Sequence, residues 1–256
     1  ENEIADAQTT ADIWRIMLRE IPPIAAEYFV GGADDLTTLK ANVLAFQQTL
    51  LAPPGAIKHK ELDTTTNVFG QELSLPFFVA PVGSLRTLWP MADAVASQVA
   101  GEFGTAMALS TLSQTPMESV AEASNGPNWF QLYLCGGAET AKRGISRARD
   151  AGFSALLLTI DTAVSGNRIV HERMKPMDAV SSLFSGPRKL KRALHRIKLG
   201  PQVLPRTGWL WRHWRDGGLL PFCNIINEHG EPMPYAGIGQ QLAASAVTWS
   251  DLPWIK

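Results

Sequence analysis

FFVAP from Phe77, TAMALS from Thr105, WFQLY from Trp129 and ALLLTID from Ala155 decide the reading of this 256-residue chain. Each run is short and rich in β-formers, and the runs recur about every 25 residues. Helical patterns alternate with them. The first spans about Pro90 to Phe103, with Val95, Val99 and Phe103 at i, i+4 and i+8. A second starts at Thr115, with Pro116 in the first turn and Glu118 three residues on, the pattern of a capping box. A third runs from about Ala138 to Ala151, with Ala141, Ile145 and Ala148 on one face. Gly104, Gly126 and Gly152 follow the helices, where a left-handed residue is expected. The alternation predicts parallel strands with right-handed crossovers, and uniformly apolar strands predict burial on both faces. A doubly wound sheet and a (β/α)8 barrel both satisfy this pattern. No GxGxxG fingerprint follows any strand, which lowers the dinucleotide option.

Outward from this core, Thr10 to Phe29 reads as helix, interrupted at Pro22-Pro23 and closed by Gly31-Gly32. A further helix spans about Leu36 to Gln48, with Asp35 as cap. From Asp161 to about Ala246 regularity is low. Thr248 and Asp251 then form a capping box at the start of a final helix. The expected organisation is one domain, 1–256, with a helical segment at 1–76, four barrel strands in 77–161, an insertion at 162–246 and a helix start at 247–256.

The hydrophobic fraction of 45% and charged fraction of 18% are those of a globular protein with a sizeable core. Cys135 and Cys223 form no CxxC pair, so neither a disulfide scaffold nor a zinc ribbon is indicated, and a reducing cytoplasm is the default. No apolar run is long enough to span a bilayer, and no signal peptide opens the chain. His59, His171, His195, His213 and His229 have no metal-site spacing and read as surface or loop histidines. Net charge is -1, yet nine Lys or Arg and no acid fall between Gly186 and Arg215, interleaved with Trp209, Trp211 and Trp214. This is either a solvated excursion packing its tryptophans on the barrel or an interfacial anchor for anionic lipid. A single-stranded nucleic acid is a third partner for such a patch, without any supporting motif.

In a barrel, functional side chains sit at the C-terminal strand ends. Those ends carry Pro81, Val82 and Gly83, Ser110 and Thr111, Gln131 and Tyr133, and Thr159 and Asp161. Small, hydroxylic and amide groups suit a polar heteroaromatic ring better than a metal.

The segments YFVGGADD, PFFVAPVG, ALST, WFQLY, LTIDTAVSGNR and TWSDLPWIK resemble, in this order, the FMN-dependent α-hydroxy-acid oxidases and dehydrogenases. That resemblance implies a (β/α)8 TIM barrel of the FMN-linked type, of which this chain carries the first four βα strands. It implies FMN as cofactor, with Pro81, Val82, Gly83, Ser110, Gln131 and Thr159 against the flavin. Tyr28 and Arg168 match substrate-carboxylate residues, Tyr133 a tyrosine facing the substrate, and Asp161 the aspartate that orients the catalytic histidine. The family usually has an acidic residue soon after the arginine, where this chain has RIVHERM.

The implied reaction oxidises an (S)-2-hydroxy acid to a 2-oxo acid, with electrons passed to a membrane quinone. Oxygen is the alternative acceptor. The family's catalytic-histidine segment follows the sixth strand, whereas the sequence given ends at Lys256, one helix before the fifth. A complementary C-terminal polypeptide or missing segment is therefore an expected partner, since half a barrel exposes sheet edges. Homo-oligomerisation and peripheral attachment to the inner face of the cell membrane are further implications. An inactive binding module using the basic aromatic stretch is the reading from another class.

Overall fold

The computed structural model describes residues 2–58, 61–162, 164, 166–169, 180, 183, 200–234 and 238–256. Its centre is a parallel sheet of β3 (Met107–Ser110), β4 (Asn128–Leu132) and β5 (Ala155–Leu158), in the order β3-β4-β5. Neighbours in sequence are thus neighbours in the sheet, as in a barrel and as in either half of a doubly wound sheet. The connections carry α5 (Ala92–Glu102, preceding β3), α6 (Met117–Glu122) and α7 (Gly137–Asp150).

Successive strand residues point to opposite faces. Met107, Leu109, Phe130 and Leu132 face the helices, where they pack on Ala100, Met117, Val120, Ala141 and Ala148. Ala106, Ala108 and Trp129 face the other way and close on Leu73 of a hairpin, β1 (Thr66–Val68) and β2 (Gln71–Leu73). Trp129 is fully buried, and its indole N–H donates to Gln71 Oε1 at 3.0 Å. Both faces of β3 and β4 are therefore covered, as uniformly apolar strands require, whereas β5 is only half-buried along its length.

Four expectations change in detail. The FFVAP run forms only a bridge, Val79 to Met107, in which Val79 N donates to Ala106 O and Val79 O accepts from Ala108 N, both at 2.9 Å. Pro76 and Pro81 bracket it and supply no N–H, while the carbonyl of Phe77 is taken by the Thr105 hydroxyl. The Thr115–Glu118 capping box does not form. Glu118 instead holds Arg147 through two oxygens, at 2.5 and 2.6 Å, and Thr115 Oγ1 donates to Asp93. Glu118 and Thr115 are thus each engaged elsewhere, and Asn224 Oδ1 accepts from Met117 N at 3.1 Å in the cap's place. Gly104 and Gly152 have the expected positive φ, at 65° and 86°, but Gly126 does not. Gly126 is small for another reason: a Cβ there would lie 2.7 Å from Gly101 Cα.

The fourth change is order where little was expected. α8 (Thr207–Arg215) and the antiparallel pair β6 (Phe222–Ile226) and β7 (Pro232–Met233) occupy the stretch read as irregular. The N-terminal helices lie where expected, α1 (Asn2–Ala5) aside: α2 (Thr10–Glu20), α3 (Pro23–Val30) and α4 (Thr37–Gln48), but Leu36, at φ of 67°, is the N-cap of α4 in place of Asp35, whose Oδ1 accepts from Thr37 N. The final capping box is present, with Asp251 Oδ2 accepting from Thr248 N at 2.8 Å.

Candidate active site

The residues that face away from α5–α7 alternate by two along each strand, so Ser110 on β3, Gln131 on β4 and Thr159 just past β5 fall in one row. Register aligns them: Ser110 pairs with Gln131, and Thr159 N donates to Leu132 O at 3.1 Å. Two residues further on, the same alternation brings Tyr133 and Asp161 to the same side.

The row is hydrogen-bonded along its length. Ser110 Oγ donates to Gln131 Oε1 at 3.1 Å, Thr111 N donates to the same oxygen at 3.2 Å, and Gln131 Nε2 donates to Thr159 Oγ1 at 2.7 Å. Thr111 Oγ1 accepts from Tyr133 N at 3.0 Å and donates to Gln131 O, which fixes the end of β4 against β3. Ser110 and Gln131 are buried, at 3% and 4% exposure. Buried polar groups tied in this way are fixed in orientation before anything binds.

The row opens on a cavity of about 230 Å³ lined by Tyr28, Pro81, Gly83, Ser110, Leu112, Gln131, Tyr133, Thr159 and Asp161. Tyr28 comes from α3, more than a hundred residues away in sequence. The segment after β5 draws it in: Asp34 N donates to Asn167 O at 2.9 Å, Asn167 Nδ2 to Asp34 Oδ1 at 2.8 Å, and Arg168 Nη1 to Tyr28 O at 3.2 Å. The Arg168 guanidinium also lies over the Tyr28 ring, 5.9 Å from its centroid. Burial raises the phenol pKa of Tyr28, against the pull of Arg168. Burial raises that of Tyr133 as well, reinforced by Asp161 and Tyr28. Both phenols are therefore protonated donors at neutral pH.

Of the ten residues singled out from sequence, the cavity wall brings together Tyr28, Pro81, Gly83, Ser110, Gln131, Tyr133, Thr159 and Asp161. Val82 is exposed beside it, and Arg168 is an exposed residue at its margin, reached through Tyr28. Asp161 is exposed, not the buried carboxylate that tuning of an imidazole calls for. Leu112 was missed. It supports Gly83, where any added Cβ would approach Leu112 Cβ to 3.2 Å.

His213 corrects the reading of the histidines. It is wholly buried on α8, with Nε2 2.7 Å from Arg86 O and Nδ1 2.9 Å from Trp209 O. Its spacing of four from Trp209, on one helix face, is the sequence signal that marks it. His229 is exposed, as expected; His59, His171 and His195 lie outside the described residues. The insertion's tryptophans divide. Trp209 is buried, whereas Trp211 and Trp214 are 58% and 66% exposed and stack with centroids 5.1 Å apart. Arg188, Lys189, Lys191, Arg192, Arg196 and Lys198 lie outside the described residues. No helix of the described residues is long and apolar enough to cross a membrane.

Parallel strands in sequential order, with a bonded polar row and a cavity at their C-terminal ends, are the arrangement of a β/α protein. The chain belongs to the FMN-dependent dehydrogenase family, which it matches over residues 17–256. It is 35% identical over 239 residues to a 2-hydroxyacid oxidase of Dictyostelium discoideum, covering 93% of this chain and 52% of that protein. It is 32% identical over 242 residues to an L-lactate dehydrogenase of Ectopseudomonas mendocina (strain ymp), covering 93% of this chain and 60% of that protein. The chain thus spans little more than half the length of these relatives. Among solved structures, the monotopic membrane protein (S)-mandelate dehydrogenase superposes with a TM-score of 0.75 at 24% identity, covering 96% of this chain and 62% of that one. That likeness concerns the fold, which is part of a (β/α)8 barrel.

Proposed function

We propose that the protein oxidises an (S)-2-hydroxy acid to the 2-oxo acid with FMN as cofactor. The observation that carries this reading is the bonded row Ser110–Gln131–Thr159 at the mouth of the cavity. The donor set fits a flavin. A flavin's pyrimidine edge alternates carbonyl acceptors with an N–H donor, and an amide flanked by two hydroxyls offers both kinds of partner in one line. Pro81 and Gly83 line the same cavity, with Val82 exposed beside it, and the flavin would lie against this loop. FMN, when bound, supplies the two-electron sink.

The chain's own residues then act on the substrate. Tyr28 and Arg168 hold the carboxylate, the guanidinium by paired hydrogen bonds and the phenol as a single donor. Tyr133 directs its phenol O–H at the charge developing on the substrate oxygen. Asp161 orients the base that takes the proton and stabilises its charged form. That base is a histidine by resemblance, and His213 does not serve, because its two ring nitrogens are engaged with Trp209 and Arg86.

We assign electron delivery to a membrane quinone, with the protein attached peripherally through α8. The exposed Trp211–Trp214 pair beside Arg212 and Arg215 supports this, since tryptophan seats at the headgroup level and cations favour anionic lipid. Turnover of the full-length protein with lactate, mandelate and glycolate tests the reading. A quinone analogue should be reduced in an FMN-dependent manner, without stoichiometric peroxide. Peroxide in proportion to substrate would transfer the acceptor role to oxygen, and absence of turnover with all three acids would overturn the reaction assigned.

A further inference from the structure

The loop that supplies the Pro81–Gly83 wall continues into a stretch fastened to α8. Ser84 lies between, with φ of 61° and 1% exposure, and its N–H donates to Leu112 O at 2.9 Å. A left-handed conformation is unfavourable for a residue with a Cβ and persists only where the surroundings hold it. The holding contacts lie on the far side of Ser84. Arg86 is 2% exposed; its Nε donates to Gly218 O at 2.9 Å, and its Nη2 meets the Asp216 carboxylate at 2.5 Å and the Asp216 carbonyl. Its own carbonyl faces His213 Nε2 at 2.7 Å, and Thr87 O accepts from Trp209 Nε1 at 3.1 Å. Arg212 sits over the Trp89 ring, 4.1 Å from its centroid.

A buried guanidinium with three acceptors, all from residues 216–218 that directly follow α8, does more than cover apolar surface. An arginine is buried only when its charge and N–H groups are met, so residues 86 and 216–218 form or break contact as one unit. We propose that Arg86 is a positioning residue for the cavity: by locking residues 84–89 to α8 it fixes the Pro81–Gly83 wall. The helix that bears Trp211 and Trp214 is thereby part of the site's framework, and whatever displaces that helix displaces the wall. The consequence for cofactor rests on the flavin reading; the lock itself does not.

The test compares Arg86→Met and Asp216→Asn with the unmodified full-length protein, reading amide exchange at residues 82–89 and the dissociation constant for FMN by flavin fluorescence. Arg147→Met, which breaks the Glu118 pair on the other flank of the sheet, controls for general destabilisation. Arg86→Met should speed exchange across the loop and weaken FMN binding, each by about tenfold. Asp216→Asn should shift both in the same direction by less, because its partner retains Gly218. Arg147→Met should lower Tm and leave both readings unchanged. Exchange in Arg86→Met equal to that of the unmodified protein would overturn the lock, and an FMN affinity no weaker than that of Arg147→Met would overturn its positioning of the cavity wall. Should the unmodified protein bind no FMN, the flavin reading fails, and the exchange comparison alone decides for or against the lock.

Discussion

Gln131 occupies the central position among the strand ends, with its amide oxygen shared by Ser110 Oγ and Thr111 N and its amide nitrogen directed to Thr159. At this scale the sequence was informative, because a strand's period of two needs only the strand to be placed. Once WFQLY is a strand, Gln131 and Tyr133 must share a face, and Thr159 and Asp161 follow from ALLLTID by the same rule. Tyr28 and Arg168 had no such rule. Their meeting depends on a docking of residues 166–168 onto 28–34 that no local pattern encodes, and only the family resemblance paired them. Arg168→Met tests the carboxylate role. The Michaelis constant for the 2-hydroxy acid should rise about tenfold to a hundredfold, the loss of one charge-assisted contact, with kcat less affected. An unchanged constant removes Arg168 from the site.

Among the elements, local signals succeeded where they had no rival. The final capping box formed because Asp251 Oδ2 is left to Thr248, while Trp254 Nε1 donates to the other oxygen, Oδ1. The box at Thr115 did not form, because Arg147 competes for Glu118 and Asp93 for Thr115. FFVAP has strand composition, but its flanking prolines leave only one residue with both an N–H and a C=O in the ladder. α8 escaped because its apolar face is a single Trp209–His213 stripe set among cations. His213 gives that helix a pH signature. Burial holds its pKa below the ordinary 6.5, opposed by the carbonyls of Trp209 and Arg86; of the neighbouring charges Arg86 lowers it and Asp216 raises it. The folded-state pKa is thus the depressed one. The stabilising contribution is complete above the unfolded value of 6.5 and is lost as pH falls towards the folded value, since the unfolded chain takes up the proton first. Melting temperature should therefore decline as pH falls below about 6.5. His213→Gln, with no proton to gain, should flatten that decline; a decline identical to that of the unmodified protein would refute the assignment.

For the molecule as a whole, the order β3-β4-β5 accords with a barrel, and the family match over residues 17–256 with the superposition on (S)-mandelate dehydrogenase decides the choice that periodicity left open. Both architectures use the same strand–helix rhythm, and three consecutive strands side by side occur in each. The fold and its family accord with the alternation read from residues 77–161, and the site rests on the same strands. The central claim is that these strand ends hold FMN, and titrating the chain with FMN while following flavin fluorescence tests it most directly. Saturable quenching at one site per chain, abolished by Gln131→Leu together with Ser110→Ala but retained in Arg168→Met, is the predicted result. Quenching that is absent, or that survives the paired substitution undiminished, would contradict the account.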